Sequence, residues 1–228
     1  MSSRNAVKDH RPECGYSLAE LLVALGLAGV VLAVLVGFFT HFHRAAAMQQ
    51  ASASAQQSAR AALDYMLQEL RMAGFDPLRR AGAGIEEIGA GGRKLRFSAD
   101  RCDQPPGSAG CPQPRPDGDL DDAGERISYY YDTGQQALRR CLYEDPGTFG
   151  ADAVSGSCQR LLDRVVANPE TIPLFTFFDE EGAQITDDSE RDRIRSVVVT
   201  LTVAEPGGAG RTVSRTYATR LRLRNIGL

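Results

Sequence analysis

The sequence predicts an α+β fold in which a long N-terminal helix, with a membrane half and an amphipathic half, packs on an antiparallel β-sheet head. An uncharged apolar stretch near the N-terminus continues into good helix formers, with no glycine or proline from residue 45 to residue 73. Beyond Gly74, apolar and polar residues alternate, which is the period of β-strands. A length of 228 residues suits one domain with an appendage.

The composition gives no reason to expect a nucleic-acid partner. The formal net charge is −3 and the isoelectric point is near 5.7, whereas nucleic-acid-binding domains carry a basic patch or stripe. Hydrophobic residues make up 43% of the chain, and many of them are concentrated near the N-terminus. The rest of the chain must therefore fold around a modest core.

The N-terminal apolar stretch is long enough to cross a membrane. Residues 21–40 carry no charge, and a helix of about 20 residues spans roughly 30 Å, the thickness of the hydrocarbon core. A removed signal peptide is the alternative, but its apolar run is normally about 7–15 residues and ends in small residues. Here the polar residues THFHR follow. A weak basic excess before the stretch favours a short N-terminus inside the cell and the bulk of the chain outside.

The segment after Arg44 predicts a continuation of the same helix with one apolar face. Gly74 and Pro77 are expected to end it, so the helix should run from about Ser17 to Ala73. At about 1.5 Å per residue its length would be roughly 85 Å. Apolar residues at spacings of three and four form a stripe along its second half: Ala59, Ala62, Leu63, Met66, Leu67 and Leu70.

Residues 15–22, GYSLAELL, resemble the cleavage and methylation motif of type IV prepilins and type II secretion pseudopilins. A glycine, an aromatic residue, serine, leucine and glutamate precede an uncharged stretch, as in that family. The resemblance implies that prepilin peptidase cuts between Gly15 and Tyr16 and that the new N-terminal residue, Tyr16, is methylated. Glu20 then becomes the fifth residue of the mature chain.

Glu20 places a carboxylate at the edge of the apolar stretch. An acid near hydrocarbon is costly unless it is paired, so it suggests a function by default. The family's mode of assembly implies that Glu20 is neutralised by the α-amino group of Tyr16, in its own or a neighbouring subunit, which would set the axial register of subunits. The alternative is an interfacial acid solvated by lipid headgroups.

The resemblance implies four segments: a cleaved leader (1–15), a transmembrane and assembly half-helix (16–44), an amphipathic half-helix (45–76) and a β-rich periplasmic or extracellular head (77–228). It implies a single-pass inner-membrane protein with its head outside the cytoplasm before assembly, and a place in the pilus or at the cell surface afterwards. The implied partners are other minor and major pilin subunits, prepilin peptidase and the inner-membrane assembly platform.

Other segments are similar to PilW-type minor pilins, namely ARAALDYMLQELRMAGFDP, the acidic loop before RISYYYD, and the closing TRLRLRN. This similarity implies a structural subunit that primes pilus assembly or lies in the fibre or at its tip. Two alternatives stay open. One is a J-type minor pseudopilin of a type II secretion system, and the other is a membrane-anchored adhesin or binding domain that never assembles.

The head is predicted to contain six strands, and the alternation is clearest in SVVVTLTV and TYATRLRLRN. A turn is expected at Thr133 and Gly134, and PGGAG predicts a hairpin turn between the last two strands. The glycine-rich segments AGAGIEEIGAGG and PGTFGADAVSGS are predicted to be loops. The predicted strands are Lys94–Ser98, Arg126–Asp132, Ala137–Tyr143 and residues 174–179, 194–204 and 211–224.

Four cysteines remain once Cys14 leaves with the leader. An even count on an oxidising side of the membrane favours disulfides, and four cysteines allow three connectivities. We favour Cys102–Cys111 with Cys141–Cys158, because these pairs close the shortest loops in chain order.

An acidic segment, DGDLDDAGE, concentrates carboxylates before a predicted strand. Carboxylates with glycines between them can wrap a hard cation such as Ca²⁺, although the spacing is not that of an EF-hand. The competing interpretation is a solvated acidic loop that binds no cofactor. The calcium hypothesis uses Asp117, Asp119, Asp121, Asp122 and Glu125.

The sequence argues against an enzyme. No histidine follows His43, so a Ser-His-Asp or Cys-His arrangement cannot be built in the head. A zinc site is also not expected, because the chain has no C-x-x-C pair. We therefore predict a structural protein without a catalytic site.

Overall fold

A computed structural model describes residues 17–101, 116–122, 124–143, 158–166, 172–207 and 210–227. The described residues begin with the α-helix α1 (Leu18–Leu70). Two short 3₁₀ turns lie at Ala90–Gly92 and Asp188–Arg193. The strands of the described regions are β1 (Ile85–Ile88), β2 (Lys94–Ser98), β3 (Arg126–Asp132), β4 (Ala137–Tyr143), β5 (Cys158–Leu162), β6 (Phe175–Phe178), β7 (Gln184–Ile185), β8 (Ser196–Pro206) and β9 (Thr212–Arg222).

The strands form two antiparallel sheets. The first has the order β1-β2-β3-β4-β5, and the second has the order β7-β6-β8-β9. In the second sheet, β8 and β9 are paired along their whole length, from Ser196 opposite Arg222 to Pro206 opposite Thr212. The predicted α+β class is therefore confirmed, and the head contains two sheets where a single one was expected.

The chain divides into two compact units, of which the first ends at Ala46 and the second spans residues 47–228. In the second unit, the C-terminal part of α1 packs with both sheets around one core. Small alanine side chains let the helix backbone approach the strands closely. The predicted apolar stripe is confirmed, since its members are all buried: Ala59, Ala62, Leu63, Met66, Leu67 and Leu70.

The predicted strands are confirmed in the first sheet with the expected bounds for β2, β3 and β4, and in the second sheet within two residues for β6, β8 and β9. The prediction that AGAGIEEIGAGG is a loop was wrong for Ile85–Ile88, which forms β1. Both isoleucines of β1 are buried. The strand has only four residues, too few to show a clear alternation of apolar and polar residues between its flanking glycines. The second glycine-rich segment, residues 146–157, lies outside the described residues.

A disulfide joins the neighbouring strands β4 and β5. Cys141 and Cys158 are directly opposite each other in the sheet register and are bonded. This half of the predicted connectivity is confirmed. The other predicted pair, Cys102–Cys111, lies outside the described residues.

Candidate functional site

The start of α1 is fixed by Ser17, which acts as its N-cap. The Ser17 hydroxyl accepts a hydrogen bond from the backbone amide of Glu20 at 3.2 Å, and the Ser17 carbonyl accepts from the amide of Leu21 at 3.2 Å. Glu20 lies in the first turn of the helix and is exposed. A negative charge is favoured there by the helix dipole. Gly15 and Tyr16, the predicted cleavage and methylation residues, lie outside the described residues.

The first half of α1 exposes an apolar surface on all sides. None of its most apolar 18-residue stretch is buried against other described residues. Single side chains illustrate this, since Leu25 is 69% exposed and Phe38 is 71% exposed. Large exposed apolar surfaces in proteins mark contacts with membranes or partners. By length and composition, this helix can cross a membrane.

A second feature of interest is a cluster of three carboxylates in the head. Asp100 follows β2, Asp117 lies in the acidic loop, and Glu125 immediately precedes β3. Oxygen atoms of the three carboxylates all lie within 4.8 Å of one another. Asp100 is 0% exposed and Glu125 is 2% exposed, whereas Asp117 is exposed. The cluster therefore opens to solvent on the side of Asp117.

Backbone amides hold the two buried carboxylates in place. The amide of Gly118 donates to Asp100 Oδ2 at 3.1 Å. The two oxygens of Glu125 accept from the amides of Arg101 at 3.0 Å and Asp122 at 2.9 Å. These bonds are made by the main chain, so the geometry of the cluster follows directly from the path of the loop.

Burial makes the charged forms of these acids costly. Burial outweighs the two amide hydrogen bonds that stabilise the carboxylate and, with smaller contributions from the neighbouring charges of Asp122 and Asp100, raises the pKa of Glu125 to about 7. Burial likewise raises the pKa of Asp100, where the amides of Gly118 and Asp117 partly offset the effect. Both acids thus carry a penalty that a bound positive charge would relieve.

The structure brings together only part of the predicted calcium ligand set. Asp117 and Glu125 belong to the cluster, and Asp100 joins them although the sequence did not single it out. Two other acids of the loop are not in this group. The amide of Asp119 is held by Asp117 Oδ1 at 3.3 Å, and the amide of Asp121 by Asp119 Oδ1 at 3.1 Å, as in successive Asx turns. Asp122 is also outside the group, although burial and, to a lesser extent, the charges of neighbouring acids raise its pKa.

A buried network that the sequence did not reveal joins α1 to the first sheet. The Arg140 guanidinium donates to both oxygens of Glu69, with distances of 2.6–3.1 Å, and the Tyr129 hydroxyl donates to Glu69 Oε2. Arg101 adds an ion pair with Glu69 at 3.5 Å. Burial raises the pKa of Glu69, but the hydrogen bonds from Arg140 and Tyr129 and the positive charges of Arg140 and Arg101 together lower it overall.

The described residues therefore contain an apolar helix segment with an acid in its first turn, and a three-carboxylate cluster in the head. The first is a surface for lipid or for other helices, and the second is a set of hard oxygen ligands. Comparison with family models and with curated proteins gave no match for this chain.

Proposed function

We propose that this chain is a minor subunit of a type IV pilus that primes assembly or lies in the fibre. The observation that carries the proposal is the junction at the start of α1. The residues GYSLAE lead directly into an apolar helix whose surface is uncovered, and Glu20 lies in the first turn of that helix. An acid at this position needs a partner outside its own helix.

Processing would supply that partner. Cleavage after Gly15 would create a cationic α-amino group on Tyr16, four residues before Glu20. Opposite charges at the same membrane depth neutralise each other, which removes the cost that each would carry alone. When the amine belongs to one subunit and the carboxylate to the next, the pair fixes their axial register. This pairing is the role that we assign to Glu20.

The exposed apolar surface of α1 would be covered by lipid before assembly and by other subunits' helices afterwards. Three glycines in this half support close approach of such helices. A Cβ atom added at Gly26, Gly29 or Gly37 would meet nothing within 4 Å, so these glycines relieve no crowding within the described chain. Small residues of this kind let helix backbones approach closely in membranes.

The disulfide supports a head outside the cytoplasm. Disulfides persist in the periplasm and at cell surfaces but are rare where thiols are kept reduced. The Cys141–Cys158 bond is therefore consistent with an N-terminus inside and a head that passes to the outer side of the inner membrane. In that arrangement the head is available to other pilin subunits, and α1 to the assembly platform in the membrane.

The proposal is tested by locating the protein in its host cell. Fibres sheared from wild-type cells should contain the chain by mass spectrometry, and immunogold antibodies against the head should label them. The matched control is Gly15→Ala, which should keep the leader and leave the chain in the membrane. If the wild type stays in the membrane fraction and fibres lack it, the proposal is wrong. A deletion that abolishes protein secretion but leaves pili intact would favour the J-type pseudopilin instead.

A further inference from the structure

The carboxylate cluster contains a buried oxygen without a partner. Asp100 is 0% exposed, and while its Oδ2 accepts from Gly118, its Oδ1 has no hydrogen-bond partner among the residues that the structure describes. Buried polar atoms in native proteins are nearly always satisfied, and an exception calls for a bound water or ion. Asp100 supplies one of the oxygens that lie within 4.8 Å of each other in the cluster.

Positive side chains near the cluster are directed to other acids. The guanidinium of Arg101 lies 3.5 Å from Glu69. Arg126 contacts Glu86 at 3.1 Å and donates to the carbonyl of Leu120 at 2.8 Å. These two ion pairs are thus made with acids outside the cluster.

The loop backbone is shaped to bring Asp117 to the buried pair. Gly118 has a φ of +95°, a conformation that side chains with a Cβ rarely adopt, and an added Cβ would lie 3.3 Å from Arg80. This glycine places its own amide on Asp100. Arg126 holds the other side of the loop through Leu120. The three acids are thus positioned by hydrogen bonds and backbone geometry outside the cluster itself.

We propose that Asp100, Asp117 and Glu125 bind one calcium ion. The ligand atoms are all carboxylate oxygens, which favours a hard cation over zinc or copper. Oxygens that lie within 4.8 Å of one another are close enough to share one cation. Calcium accepts bonds of about 2.3–2.6 Å in a flexible geometry, whereas magnesium demands a near-ideal octahedron, so this ligand set favours calcium. Water would complete the coordination on the open side of Asp117.

Calcium would connect two parts of the first sheet through the loop. Asp100 follows β2 and Glu125 precedes β3, and the pairing of these strands brings the two acids together. Asp117 brings in the intervening loop. We therefore expect metal binding to stabilise the folded head. This inference does not depend on the proposed place in a pilus, because it concerns a site within one chain.

The test uses the full chain in detergent micelles, stripped of metal with EDTA and then dialysed. Thermal unfolding is followed by circular dichroism as calcium chloride or magnesium chloride is added from about 10⁻⁵ to 10⁻² M, a range that brackets known weak calcium modules. A ligand that binds only the folded state raises the melting temperature with concentration. We expect calcium to do so with a Kd of about 10⁻⁴–10⁻³ M, and magnesium to bind at least tenfold more weakly.

Three variants make the test specific. Asp117 is exposed, and the Asp117→Asn side chain keeps an oxygen that can accept from the Asp119 amide. The variant should therefore fold normally and bind calcium at least tenfold more weakly. Asp100→Asn should do the same, and in EDTA it should melt no lower than the wild type because it removes a buried charge. The matched control is Asp121→Asn, an exposed acid of the same loop, which should change the affinity less than threefold.

Several results would overturn the assignment. The proposal is wrong if calcium produces no saturable rise in the wild-type melting temperature, or if Asp117→Asn binds calcium as the wild type does. It is also wrong if Asp121→Asn weakens binding as much as Asp117→Asn, because the effect would then come from the diffuse charge of the loop. Equal affinities for magnesium and calcium would contradict the choice of calcium.

Discussion

Two glutamates of α1 have opposite surroundings although they belong to one helix. Glu20 is exposed in a turn whose apolar neighbours are uncovered. Glu69 is 8% exposed and is held by Arg140 and Tyr129 from the first sheet. The first acid is therefore open to solvent or to a partner, and the second is held by partners within the fold. Their substitution should accordingly affect different properties.

Glu20→Ala should leave membrane insertion and the stability of the head unchanged but should impair incorporation into fibres. The substitution removes a charge from an apolar helix, so insertion becomes no more costly. It also removes the group that we expect to neutralise the amine of Tyr16. The measurement is the ratio of the variant in sheared fibres to that in membranes, with Glu20→Asp as the charge-retaining control. Wild-type incorporation of Glu20→Ala would show that the acid is merely interfacial.

Glu69→Gln should destabilise the head by about 3–5 kcal/mol, because it leaves the Arg140 guanidinium buried without its counter-charge. Both side chains of this ion pair are 10% exposed. The matched control is Glu190→Gln, which disrupts a pair with Arg193 in which the arginine is 58% and the glutamate 47% exposed, and it should cost about 1 kcal/mol or less. Chemical denaturation of both variants gives the comparison. If both variants lose the same free energy of unfolding, the buried network stabilises the head no more than an exposed ion pair does.

The same network should make stability depend on pH in acid. The pKa of Glu69 is lowered in the folded state from its ordinary value of 4.5, so its contribution is complete above that value. The contribution is lost as the pH falls through the lowered folded pKa. The stability difference between wild type and Glu69→Gln should therefore shrink as the pH is reduced below about 4.5. Denaturation curves from neutral to acid pH measure this difference, and a constant gap would contradict the account.

The second half of α1 joins the core through small side chains. Ala59 is 0% exposed between the helix and the sheets. Ala59→Leu should therefore cost about 1–3 kcal/mol by overpacking. Ala53→Leu is the matched control, since Ala53 is exposed on the same helix and should change stability by less than about 0.5 kcal/mol. Similar unfolding free energies for the two variants would show that α1 does not pack tightly at Ala59.

The β4–β5 pair is closed by its disulfide. Cys141 and Cys158 are 17 residues apart, and closing a loop of this size typically stabilises a fold by about 3 kcal/mol. We expect the Cys141→Ser/Cys158→Ser double variant to lose about that amount. Reducing this disulfide in the wild type should lower the free energy of unfolding by a similar amount. Peptide mapping without reductant should recover Cys141 and Cys158 in one linked pair of peptides. Free thiols at both positions in freshly purified protein would contradict the assignment.

Elements with a long, regular pattern could be predicted from the sequence. The helix stripe and the alternation in β8 and β9 repeat over many residues, so local periodicity was sufficient. The short strand Ile85–Ile88 was missed because four residues between glycines carry little pattern. The division of the strands into two sheets also could not be read locally. It depends on which strands pair, and pairing is decided by contacts far apart in the chain.

The candidate cation site also could not be predicted in full from local sequence pattern, because it depends on how distant parts of the chain fold together. Asp117 and Glu125 were predicted from their acidic segment, but Asp100 lies well before that segment in the sequence. It reaches them because Ser98 pairs with Arg126 and the amide of Ala99 donates to the carbonyl of Glu125 at 2.9 Å. The register in which two strands pair is set by tertiary contacts and cannot be read from local sequence. Glu69 was missed for the same reason, since its partners come from β3 and β4.

The chain as a whole combines an uncovered apolar helix segment with a head whose core includes the other half of the same helix. The buried apolar residues Leu63, Met66 and Leu70 belong to the same helix α1 as the exposed apolar segment. One element therefore supplies both an exposed apolar surface and part of the core of the head.

The central claim is that the chain is processed at Gly15–Tyr16 and assembles through the new terminus. The most direct test is N-terminal sequencing and intact mass measurement of the protein isolated from membranes and from sheared fibres. The account predicts a chain that begins at Tyr16 and carries an N-terminal methyl group. Recovery of a chain from fibres that still begins at Met1, or that is cut at another position, would contradict it.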